Sequence, residues 1–505
     1  MNLRVGIVLI VLIGLLLSKN LVHLCTESWW FDAVGFSDVF WTKLTWQILL
    51  WLFTFTVYAV WLWVHYRIAI QATRHRPFTV FAETNFEPYT DQLMHLLARA
   101  ASILVALAAA SMTASGWDVI LKYLHRSPFG DRDPIFQRDI SFWIFQLPFI
   151  EGIRGWLFGL LSVGLMLSLA VYTLKGSFVS EPERRVGDQA IKTHLSLLLS
   201  GLVLLGGWGF WLERFHLLYG AGGLVFGAGY TDVHARLLAL NVLSLVSVGI
   251  AIGLIVSTRR RGWTLPLQSA GVFAIAFVLL NLIYPWFMQQ FIVAPNELAK
   301  EKPYLTHNIQ LTQAAYRLHD VQQQNFAAET QLDRQTLQNN QPTLRNIRLW
   351  DYRPLLSTYR QLQEIRLYYK FTHVDVDRYR INGDYRQVML AARELVFSQL
   401  PKIAQTWVNE RLKYTHGYGL AMSPVNRITT DGLPELYIKD IPPQSQVDLQ
   451  VRQPALYYGE ETDRYIFTGA TTDEFDYPRG NDNAFTRYNG KGGVPLNSIA
   501  RRVAY

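Results

Sequence analysis

The stretch that decides the fold is residues 237–284, LLALNVLSLVSVGIAIGLIVSTRRRGWTLPLQSAGVFAIAFVLLNLIY. It contains two apolar runs, 237–256 and 265–284, separated by a short turn with three consecutive arginines. A hydrocarbon core of roughly 30 Å needs about 20 apolar residues in a helix, and each run meets that length. Because lipid cannot hydrogen-bond the backbone, each run is predicted to be a transmembrane helix.

Five further runs of this kind precede residue 237, so residues 1–285 are predicted to form an all-α membrane bundle of seven helices. Tryptophan lies just beyond the ends of several runs, as at Trp29, Trp117 and Trp286, where interfacial rings belong. The alternation that a barrel strand needs is absent from these runs. The predicted spans are residues 3–24, 44–64, 93–114, 153–174, 195–212, 237–256 and 265–284.

Lysine and arginine set the predicted orientation of the bundle. With the N-terminus inside, the cytoplasmic segments hold 11 basic residues in 60, and the opposite loops hold 8 in 87. Short cytoplasmic loops carry such a bias, and Arg259, Arg260 and Arg261 are its clearest example. Seven spans then put residues 286–505 outside. We expect a multi-pass plasma-membrane protein with a cytoplasmic N-terminus and an extracytoplasmic C-terminal domain.

The first span is expected to stay as an uncleaved anchor. Ser18, Lys19 and Asn20 follow it in place of a small-x-small cleavage site. Cys25 is the only cysteine and is read as a lone thiol near the outer interface, so the chain cannot form an internal disulfide. An outer domain of about 220 residues is large enough to be held by its core alone.

The predicted spans carry few polar side chains. Asp, Glu, Lys and His are missing from their central stretches, and ion-coupled carriers usually mark their pathway with such residues. A transporter or channel is therefore an alternative hypothesis, tested by whether the bundle encloses a polar cavity. Its lining would include the polar residues deep in the spans, which are groups such as Thr54, Thr56, Asn241 and Asn281.

Small residues at helical spacing predict close helix contacts within the bundle. The pairs are Gly155 with Gly159, Gly164 with Ser168, and Gly249 with Gly253. Such pairs serve any close approach of two helices, so packing within the chain is favoured over a dimer interface.

Two loops on the predicted outer side have sharper patterns. Residues 128–149 contain Asp131, Asp133 and Asp139, and three carboxylates suit a hard cation. Their spacing matches no calcium loop, so we predict caps and turns and no metal site. Residues 219–232, YGAGGLVFGAGYTD, superficially resemble a phosphate loop, but the glycine spacing and the missing Lys-Ser/Thr favour an interfacial or re-entrant loop.

Residues 286–505 switch between periods of 3.6 and 2 without a regular repeat, which predicts an α+β domain. A helix over 296–318, with a break near Pro303, is expected to open this domain. A polar connector over 322–341 follows. The remaining predicted elements are helices at 354–366 and 403–414 and strands at 343–349, 368–381, 385–390, 435–439, 448–457 and 464–468.

No residue set in this domain identifies a reaction, so catalytic residues stay unknown and no cofactor or metal is predicted. The histidines His307, His319, His373 and His416 have no zinc-ligand spacing, and no GxSxG elbow occurs. Asp375 and Asp377 share one strand face, which a solvated edge explains. The densest acidic cluster is Asp473, Glu474, Asp476 and Asp482. Its carboxylates could bind calcium or a sugar substrate, but the composition of this segment favours a surface turn.

The formal net charge of +8 does not indicate nucleic acid as a partner. Much of the excess lies in the predicted cytoplasmic loops, and from residue 285 onward the chain holds 26 basic and 23 acidic residues. Nucleic-acid binding needs a concentrated basic patch, and none is present in the sequence. The expected partners are the lipid bilayer and an envelope protein or polymer.

Four pieces of sequence together resemble the bacterial uncharacterised protein family numbered 0182. They are NELAKEKPYLTHNIQLTQAAYRL at 296–318, THGYGLAMSPVNRITTDGLPELYIKDIPP at 415–443, the loop GAGYTD, and EFDYPRG followed by GGVPL. The resemblance covers essentially the whole chain. It implies a multi-pass plasma-membrane protein with a large domain outside the cytoplasm, and it supplies no activity, substrate or catalytic residue.

The leading hypothesis is a non-enzymatic membrane protein whose outer domain binds or organises an envelope partner. A transporter or channel is the alternative. The second alternative is an envelope-modifying enzyme, which requires Asp131, Asp133 or the 473–482 cluster to converge in one cleft. The start of an amphipathic helix near Leu496, Ile499 and Val503 also leads us to expect that the native chain continues beyond Tyr505.

Overall fold

The computed structural model describes residues 3–74, 87–177, 188–221, 223–259, 264–326 and 332–505, without the side chains of 3–17, 87–91, 188 and 265–266. The chain divides into two compact units. The membrane unit consists of Met1–Gln323 and Gly493–Tyr505, and the strand-rich unit consists of Gln324–Gly492. The sequence-based boundary at residue 285 marks the end of the last predicted span, whereas the contacts separate the units after the helix that follows it.

Long helices make up most of the membrane unit, because its apolar runs match the thickness of a bilayer and lipid cannot hydrogen-bond the backbone. The α-helices are α1 (Leu3–Ala33), α2 (Ser37–Ala72), α3 (Glu87–Ala114), α4 (Trp117–Leu124), α5 (Leu147–Leu174), α6 (Asp188–His216), α7 (Leu237–Ser257), α8 (Thr264–Phe277), α9 (Tyr284–Phe287) and α10 (Glu297–Ala315). Four π-helical turns continue the α-helices without a break. Phe142–Gln146 leads into α5, Asp232–Arg236 leads into α7, and Val278–Ile283 and Met288–Val293 flank α9.

Six helical segments are long and apolar enough to cross a membrane among the described residues. They are Ser37–Ala72, Gln92–Ala114, Phe142–Leu174, Gln189–Tyr219, Asp232–Ser257 and Leu267–Ala315. They contain the second to sixth predicted spans and all but the first two residues of the seventh, and together they indicate a multi-pass membrane protein. The first predicted span coincides with α1, but most of its side chains lie outside the described residues, and a bundle of seven remains a prediction.

The bundle packs its helices in the order α3, α2, α5, α6, α7, α8. Glycines bring some of these helices close together: a Cβ at Gly164 would lie 2.6 Å from Trp61 Nε1, and one at Gly207 would lie 2.7 Å from Ser247 Cβ. Gly164 therefore serves close packing, as its spacing predicts. Gly155 and Gly249 do not, because a Cβ at either position meets nothing within 4 Å.

One end of the membrane unit carries the long connections 115–146 and 217–236, and we call it the long-loop end. The first connection is joined there to the end of α6 by an aromatic cluster of Phe142, Trp143 and Phe215, in which Trp143 Nε1 donates to the Phe215 carbonyl at 3.1 Å. The C-terminal helix α14 (Ile499–Ala504) packs on α1, with the Tyr505 hydroxyl donating to the Thr26 carbonyl at 3.0 Å.

The strand-rich unit begins with the short helices α11 (Arg334–Asn339) and α12 (Gln341–Leu344) and with α13 (Tyr352–Gln363). Its main sheet has the order β1-β3-β5-β6-β7, and β2 also pairs with β3. Two further pairs are β9 with β10 and β4 with β8. The strands are β1 (Tyr369–Phe371), β2 (Asp375–Ile381), β3 (Asp384–Leu395), β4 (Gly417–Tyr418), β5 (Leu420–Pro424), β6 (Ile438–Lys439), β7 (Gln444–Ser445), β8 (Ala455–Leu456), β9 (Glu474–Arg479) and β10 (Asp482–Thr486).

Local chemistry explains the centre of this unit. The β2–β3 hairpin turns at Asn382-Gly383, both with positive φ, which is the dipeptide that a two-residue turn prefers. Asp351 caps α13 by accepting the Arg353 N–H at 2.9 Å. Buried Leu355 and Tyr359, one turn apart on α13, pack on the sheet, and the Tyr359 hydroxyl donates to the Met389 carbonyl at 3.0 Å.

Several element predictions for residues 286–505 need correction. The helix α10 runs from Glu297 to Ala315 through Pro303, where a break was predicted. The strand predicted over 343–349 does not form, since 343–344 end the helix α12 and 345–349 contain no strand. Residues 403–414 form short 3₁₀ and π turns rather than one helix. The described residues 464–468 contain no strand. The predicted surface turn at 473–482 is instead the β9–β10 hairpin, in which Phe475 is buried.

Candidate functional site

The described residues of the glycine-dense stretch 217–236 form a folded connection between α6 and α7. The Gly227 N–H donates to the Gly220 carbonyl at 2.8 Å, and Gly227 has φ +123°, which favours glycine. The Asp232 carboxylate accepts the Gly229 N–H at 2.9 Å. This bond caps the helical turn that leads into α7, so the sequence GAGYTD fixes how α7 begins.

Glu301 on α10 reaches this connection and is almost fully buried, with 8% of its surface exposed. Its two carboxylate oxygens accept the Tyr230 N–H at 3.0 and 3.1 Å. A Cβ at residue 229 would lie 3.0 Å from the Glu301 carboxylate, so glycine leaves the room that it occupies. The loop binds an anion through a backbone N–H, as phosphate loops do, but the anion is the protein's own carboxylate.

Glu301 and Asp232 line a cavity of about 800 Å³, a volume in the usual range of ligand sites. The Thr231 hydroxyl donates to Gln289 Oε1 at 2.5 Å on one wall, and Arg236 Nη1 lies 2.9 Å from Asp232 Oδ1. We call this space the long-loop cavity. Its lining includes Gly223, Gly229, Thr231, Asp232, Arg236, Asn281, Pro285, Trp286, Gln289, Glu297 and Glu301.

The charge of the long-loop cavity is unbalanced. Three carboxylates, from Asp232, Glu297 and Glu301, face one guanidinium, and Arg236 is already paired with Asp232. Neither Glu297 nor Glu301 has an ion-pair partner among the described residues. Lys300 lies nearby but over the Tyr230 ring, 4.9 Å from its centroid. The cavity can therefore accept hydrogen bonds from a cationic group, since a buried carboxylate favours a charged donor.

Both pieces that build this cavity are visible in the sequence. Glu297 and Glu301 are one turn apart on a helix predicted to continue from the last span. The sequence carries no signal that Glu301 contacts the glycine loop, whose Tyr230 lies 71 positions earlier.

The aspartates of residues 128–149 hold their own loop. Asp139 accepts N–H groups from Phe129, Gly130 and Ser141 at 2.9–3.1 Å, and bonding to Ser141 and these N–H groups holds its pKa well below its ordinary value. Asp133 accepts from Ile135 at 2.9 Å and Phe136 at 2.5 Å. Burial nevertheless raises the Asp133 pKa. Asp131 is exposed. These are the contacts of turn and cap residues.

The acidic cluster of the strand-rich unit is split by the structure. Glu474 is buried and accepts hydrogen bonds from the Thr415 hydroxyl at 2.6 Å, the Tyr457 hydroxyl at 2.9 Å and the Tyr488 N–H at 3.2 Å. Asp473 pairs with Arg487 at 2.6 Å, and Asp482 is exposed at the start of β10. Only part of the cluster is therefore at the surface.

His416 connects Glu474 with Asp476, the remaining member of this cluster. Its Nε2 lies 3.4 Å from Asp476 Oδ1, and its Nδ1 lies 3.9 Å from Glu474 Oε2. Burial lowers the pKa of His416 despite these two carboxylates. The pieces THGYG and EFDYPRG thus meet here, just as GAGYTD and NELAKEKPY meet at Glu301. Sequence spacing could not bring residues about 60 positions apart together.

The remaining candidate residues are separate. His373 pairs with Glu460 at the surface at 2.7 Å, Asp375 and Asp377 are exposed, and His319 is exposed. Cys25 is a half-buried free thiol, and His307 is half-buried. The described residues contain no group of three or more His, Cys, Asp or Glu that could hold a metal ion.

Two histidines lie within the helical spans of the structure but just outside the apolar runs predicted from the sequence. Because α2 and α6 outrun the apolar runs, His65 and His194 lie inside them, both buried. His65 Nδ1 and His194 Nε2 are 2.7 Å apart, and the Tyr172 hydroxyl is 2.6 Å from His194 Nδ1. This hydrogen-bonded chain lies in the core of α2, α5 and α6, at the end opposite to the long-loop end.

The four polar residues proposed to line a transport path do not share one cavity. Thr54 is buried beside an apolar space, Thr56 is exposed on α2, and Asn241 is half-buried on α7. Asn281 lines the long-loop cavity, where the π-helical turn Val278–Ile283 carries it. The polar cavity of the transporter hypothesis therefore includes Asn281, without Thr54 or Thr56.

Comparison with known proteins gives the family. Residues 4–505 match the model of the uncharacterised protein family UPF0182. A UPF0182 protein of Trichodesmium erythraeum is 52% identical over 99% of this chain and 55% of its own length. Others, from Cupriavidus necator and Pelotomaculum thermopropionicum, are 41% and 40% identical over 99% and 98% of this chain, and 55% of each relative.

The chain spans about half the length of the curated relatives it matches. No solved structure matches it. The names of these relatives state no activity. The family match covers nearly every residue, including both pairs of sequence pieces that meet at buried carboxylates, and the chain belongs to the uncharacterised protein family UPF0182.

Proposed function

We propose that this protein is a multi-pass plasma-membrane protein that binds an amine-bearing component of the cell envelope in the long-loop cavity, without catalysing a reaction. The observation that carries the proposal is Glu301, a buried carboxylate beside a cavity of about 800 Å³ and without an ion-pair partner among the described residues. An ammonium group would supply the missing charge and N–H donors.

The long-loop end is the extracytoplasmic end in this proposal. Support comes from the density of basic residues in the sequence, which is 11 in 60 for the segments at the opposite end and 8 in 87 for the loops at the long-loop end. The described basic residues at the opposite end include Arg67, Arg74, Lys175, Lys192 and Arg259. The long-loop cavity then opens where envelope components are found, and Trp286 in its lining suits the membrane interface.

The strand-rich unit is the extracytoplasmic domain in the same proposal, with an envelope protein or polymer as its partner. Its surface carries large aromatic groups, with Trp407 56% and Tyr458 76% exposed. Exposed aromatic rings are common where a protein binds a partner, because they combine apolar area with a polar tip.

Binding is favoured over catalysis by the state of the buried carboxylates. Glu474 is bound by three donors of its own unit, and Asp133 and Asp139 hold turns. A general acid or base needs a position within reach of a substrate. A transporter is the second candidate function, since Asn281 extends the lining of the long-loop cavity into a span.

Cysteine labelling in intact cells tests the orientation. In a Cys25→Ser background, a membrane-impermeant maleimide should label Gly223→Cys, in the lining of the cavity. It should label Gln71→Cys, on α2 at the opposite end, only after permeabilisation. Labelling of Gln71→Cys in intact cells would overturn the orientation.

The same Gly223→Cys protein tests occupancy after reconstitution in nanodiscs. Phosphatidylethanolamine in the disc should slow labelling if the amine belongs to a lipid, and soluble ethanolamine in discs of phosphatidylglycerol should slow it if the amine belongs to a solute. His125→Cys, exposed on the connection after α4, is the control that neither addition should affect. Labelling at residue 223 that neither addition slows contradicts amine binding.

Measurements of uptake into proteoliposomes distinguish a transporter from a protein that only binds the amine. Proteoliposomes containing the full chain should retain a labelled amine at the protein without accumulating it in their lumen. Accumulation that is lost in Asn281→Leu would favour the transporter.

A further inference from the structure

A second cavity lies within the membrane unit, between α2, α3, α4 and α5, with a volume of about 820 Å³. Its walls are almost entirely apolar, and they include Phe53, Ala108, Met112, Ile153 and Leu157. We call it the α2–α5 groove. It is separate from the long-loop cavity, since the lining residues of the two do not overlap.

Glycines on α5 create the α2–α5 groove rather than close it. A Cβ at Gly152 or Gly155 would meet no atom within 4 Å, so these two positions face open space. Further along α5 the same stripe does pack: a Cβ at Gly159 would lie 3.0 Å from the Tyr58 hydroxyl of α2. Helices α2 and α5 therefore touch at Gly159 and separate toward the long-loop end.

Polar atoms in the groove are already bonded to one another. Trp156 Nε1 donates to the Thr54 hydroxyl at 3.3 Å, and the Tyr58 hydroxyl donates to the Trp156 carbonyl at 3.0 Å. A cavity needs two to four free polar partners to hold a water molecule, so the groove has little to offer water. Burial of a polar solute in the groove would be unfavourable for the same reason, because its polar groups would lack hydrogen-bond partners.

The groove opens to the lipid-facing side of the spans. Phe53 on α2, Met112 on α3 and Ile153 on α5 line it and are 59%, 78% and 38% exposed, and all three lie within segments able to cross a membrane. The medium around such a surface is hydrocarbon. We propose that the α2–α5 groove is a binding site for the acyl chain of a membrane lipid.

Filling the groove tests this proposal. The full chain is reconstituted in nanodiscs of phosphatidylglycerol containing a small fraction of the same lipid with a diazirine on one acyl chain, and crosslinked peptides are mapped after illumination. Crosslinks should concentrate on the groove faces of α3 and α5. Gly155→Leu should lower them several-fold.

A matched control is Gly249→Leu on α7. Gly249 is also an exposed glycine within a span whose Cβ would meet nothing, so the two changes alter helix propensity and lipid exposure alike. Gly249→Leu should leave the groove crosslinks unchanged. Ala108→Phe, from the opposite wall on α3, should lower them as Gly155→Leu does and guards against a folding defect in either variant. Crosslinks spread evenly over all lipid-facing helices, or equal effects of Gly155→Leu and Gly249→Leu, would overturn the proposal.

Discussion

Each unit of this protein contains a glutamate that is more than nine-tenths buried where two sequence pieces meet, but the two are satisfied differently. Glu474 in the strand-rich unit accepts hydrogen bonds from two hydroxyls and one backbone N–H. Glu301 in the membrane unit accepts only the Tyr230 N–H among the described residues, and it lines a cavity. Both side chains are almost fully buried, so the degree of burial does not distinguish a carboxylate that stabilises the fold from one that binds a ligand.

The difference lies in the unused acceptor capacity of the carboxylate. Two carboxylate oxygens offer about four lone-pair sites, and Glu474 fills most of them with donors from its own unit. Glu301 keeps acceptor sites for a group that enters from outside the fold. We infer that Glu474 stabilises the fold of its unit and that Glu301 binds a ligand. Removal of the Glu474 side chain should therefore lower stability, and removal of the Glu301 side chain should weaken ligand binding.

Glu474→Ala should give the largest effect on stability. Its loss leaves three buried donors without their acceptor, the hydroxyls of Thr415 and Tyr457 and the Tyr488 N–H. Each buried unsatisfied donor costs about 1 to 3 kcal/mol, so the total cost should be about 3 to 5 kcal/mol. Hydrogen exchange of the full chain in detergent should show protection lost in β4 and β9. Glu301→Ala should cost about 1 kcal/mol or less, because water in the cavity can bond the freed N–H.

Equal losses of protection around Glu301 and Glu474 would remove the distinction. Glu474→Gln serves as the control in that comparison, because its amide oxygen still accepts from the two hydroxyls and should retain most of the stability.

A second pair of changes compares two glycines, Gly229 beside the Glu301 carboxylate and Gly417 next in sequence to His416, which contacts Glu474. A Cβ at Gly417 would lie 2.4 Å from the Arg393 carbonyl oxygen, and backbone cannot move aside, so Gly417→Ala should cost about 3 kcal/mol. A Cβ at Gly229 would meet only the end of the Glu301 side chain at 3.0 Å, so Gly229→Ala should cost about 1 kcal/mol.

The two glycine variants should therefore lose different properties, one its thermal stability and the other its ligand binding. Gly417→Ala should lower the melting temperature of the strand-rich unit without changing the long-loop cavity. Gly229→Ala should displace the Glu301 carboxylate and weaken amine binding while the fold persists. A larger stability loss in Gly229→Ala than in Gly417→Ala would contradict this reading of both sites.

Acidification should affect the strand-rich unit through His416, with a smaller effect. Burial holds its pKa below the ordinary value of 6.5, so the folded state favours the neutral ring. The unfolded chain binds the proton more readily, and the stability that this group contributes is present above pH 6.5 and lost as pH falls below it. Thr415, Glu474, Asp476 and the Tyr457 ring surround the imidazole.

Hydrogen exchange in β4 and β9 of the full chain, measured between pH 7.5 and 5, checks this. After correction for the intrinsic exchange rate, protection should fall with pH in the wild type. His416→Gln should flatten the dependence, since the carboxylates of Glu474 and Asp476 remain in that variant. An unchanged profile in His416→Gln would assign the acid sensitivity to the carboxylates instead.

The spans were predictable because apolar length is a local property. Six described helical segments are able to span a membrane; five contain the corresponding predicted run, and the sixth contains all of it except residues 265–266. In residues 286–505 the β2–β3 hairpin and α13 were also predictable, from alternation around Asn382-Gly383 and from the apolar spacing of Leu355 and Tyr359. The helix predicted over 403–414 failed because long-range contacts there, such as Arg411 with the Tyr465 carbonyl at 2.7 Å, favour short turns.

The candidate site was less predictable, for a physical reason. Its residues were all visible, but the contact between Tyr230 and Glu301 joins positions 71 apart, and one sequence carries no signal for that pairing. The turn chemistry of Asp473 to Asp482 suggested a loop, and only the tertiary neighbours Thr415 and His416 explain why Glu474 is buried.

The most direct test of the account is amine binding by the full chain with each of the two buried glutamates neutralised in turn. Native mass spectrometry from detergent would count bound phosphatidylethanolamine against phosphatidylglycerol for the wild type, Glu301→Gln and Glu474→Gln. A charge-assisted hydrogen bond contributes about 1.5 to 3 kcal/mol, so Glu301→Gln should weaken phosphatidylethanolamine binding by about 10- to 100-fold. Soluble ethanolamine is the parallel probe for a solute ligand, and Glu474→Gln should bind either amine as the wild type does. Equal binding of both amines by wild type and Glu301→Gln would contradict the central claim that Glu301 holds a ligand.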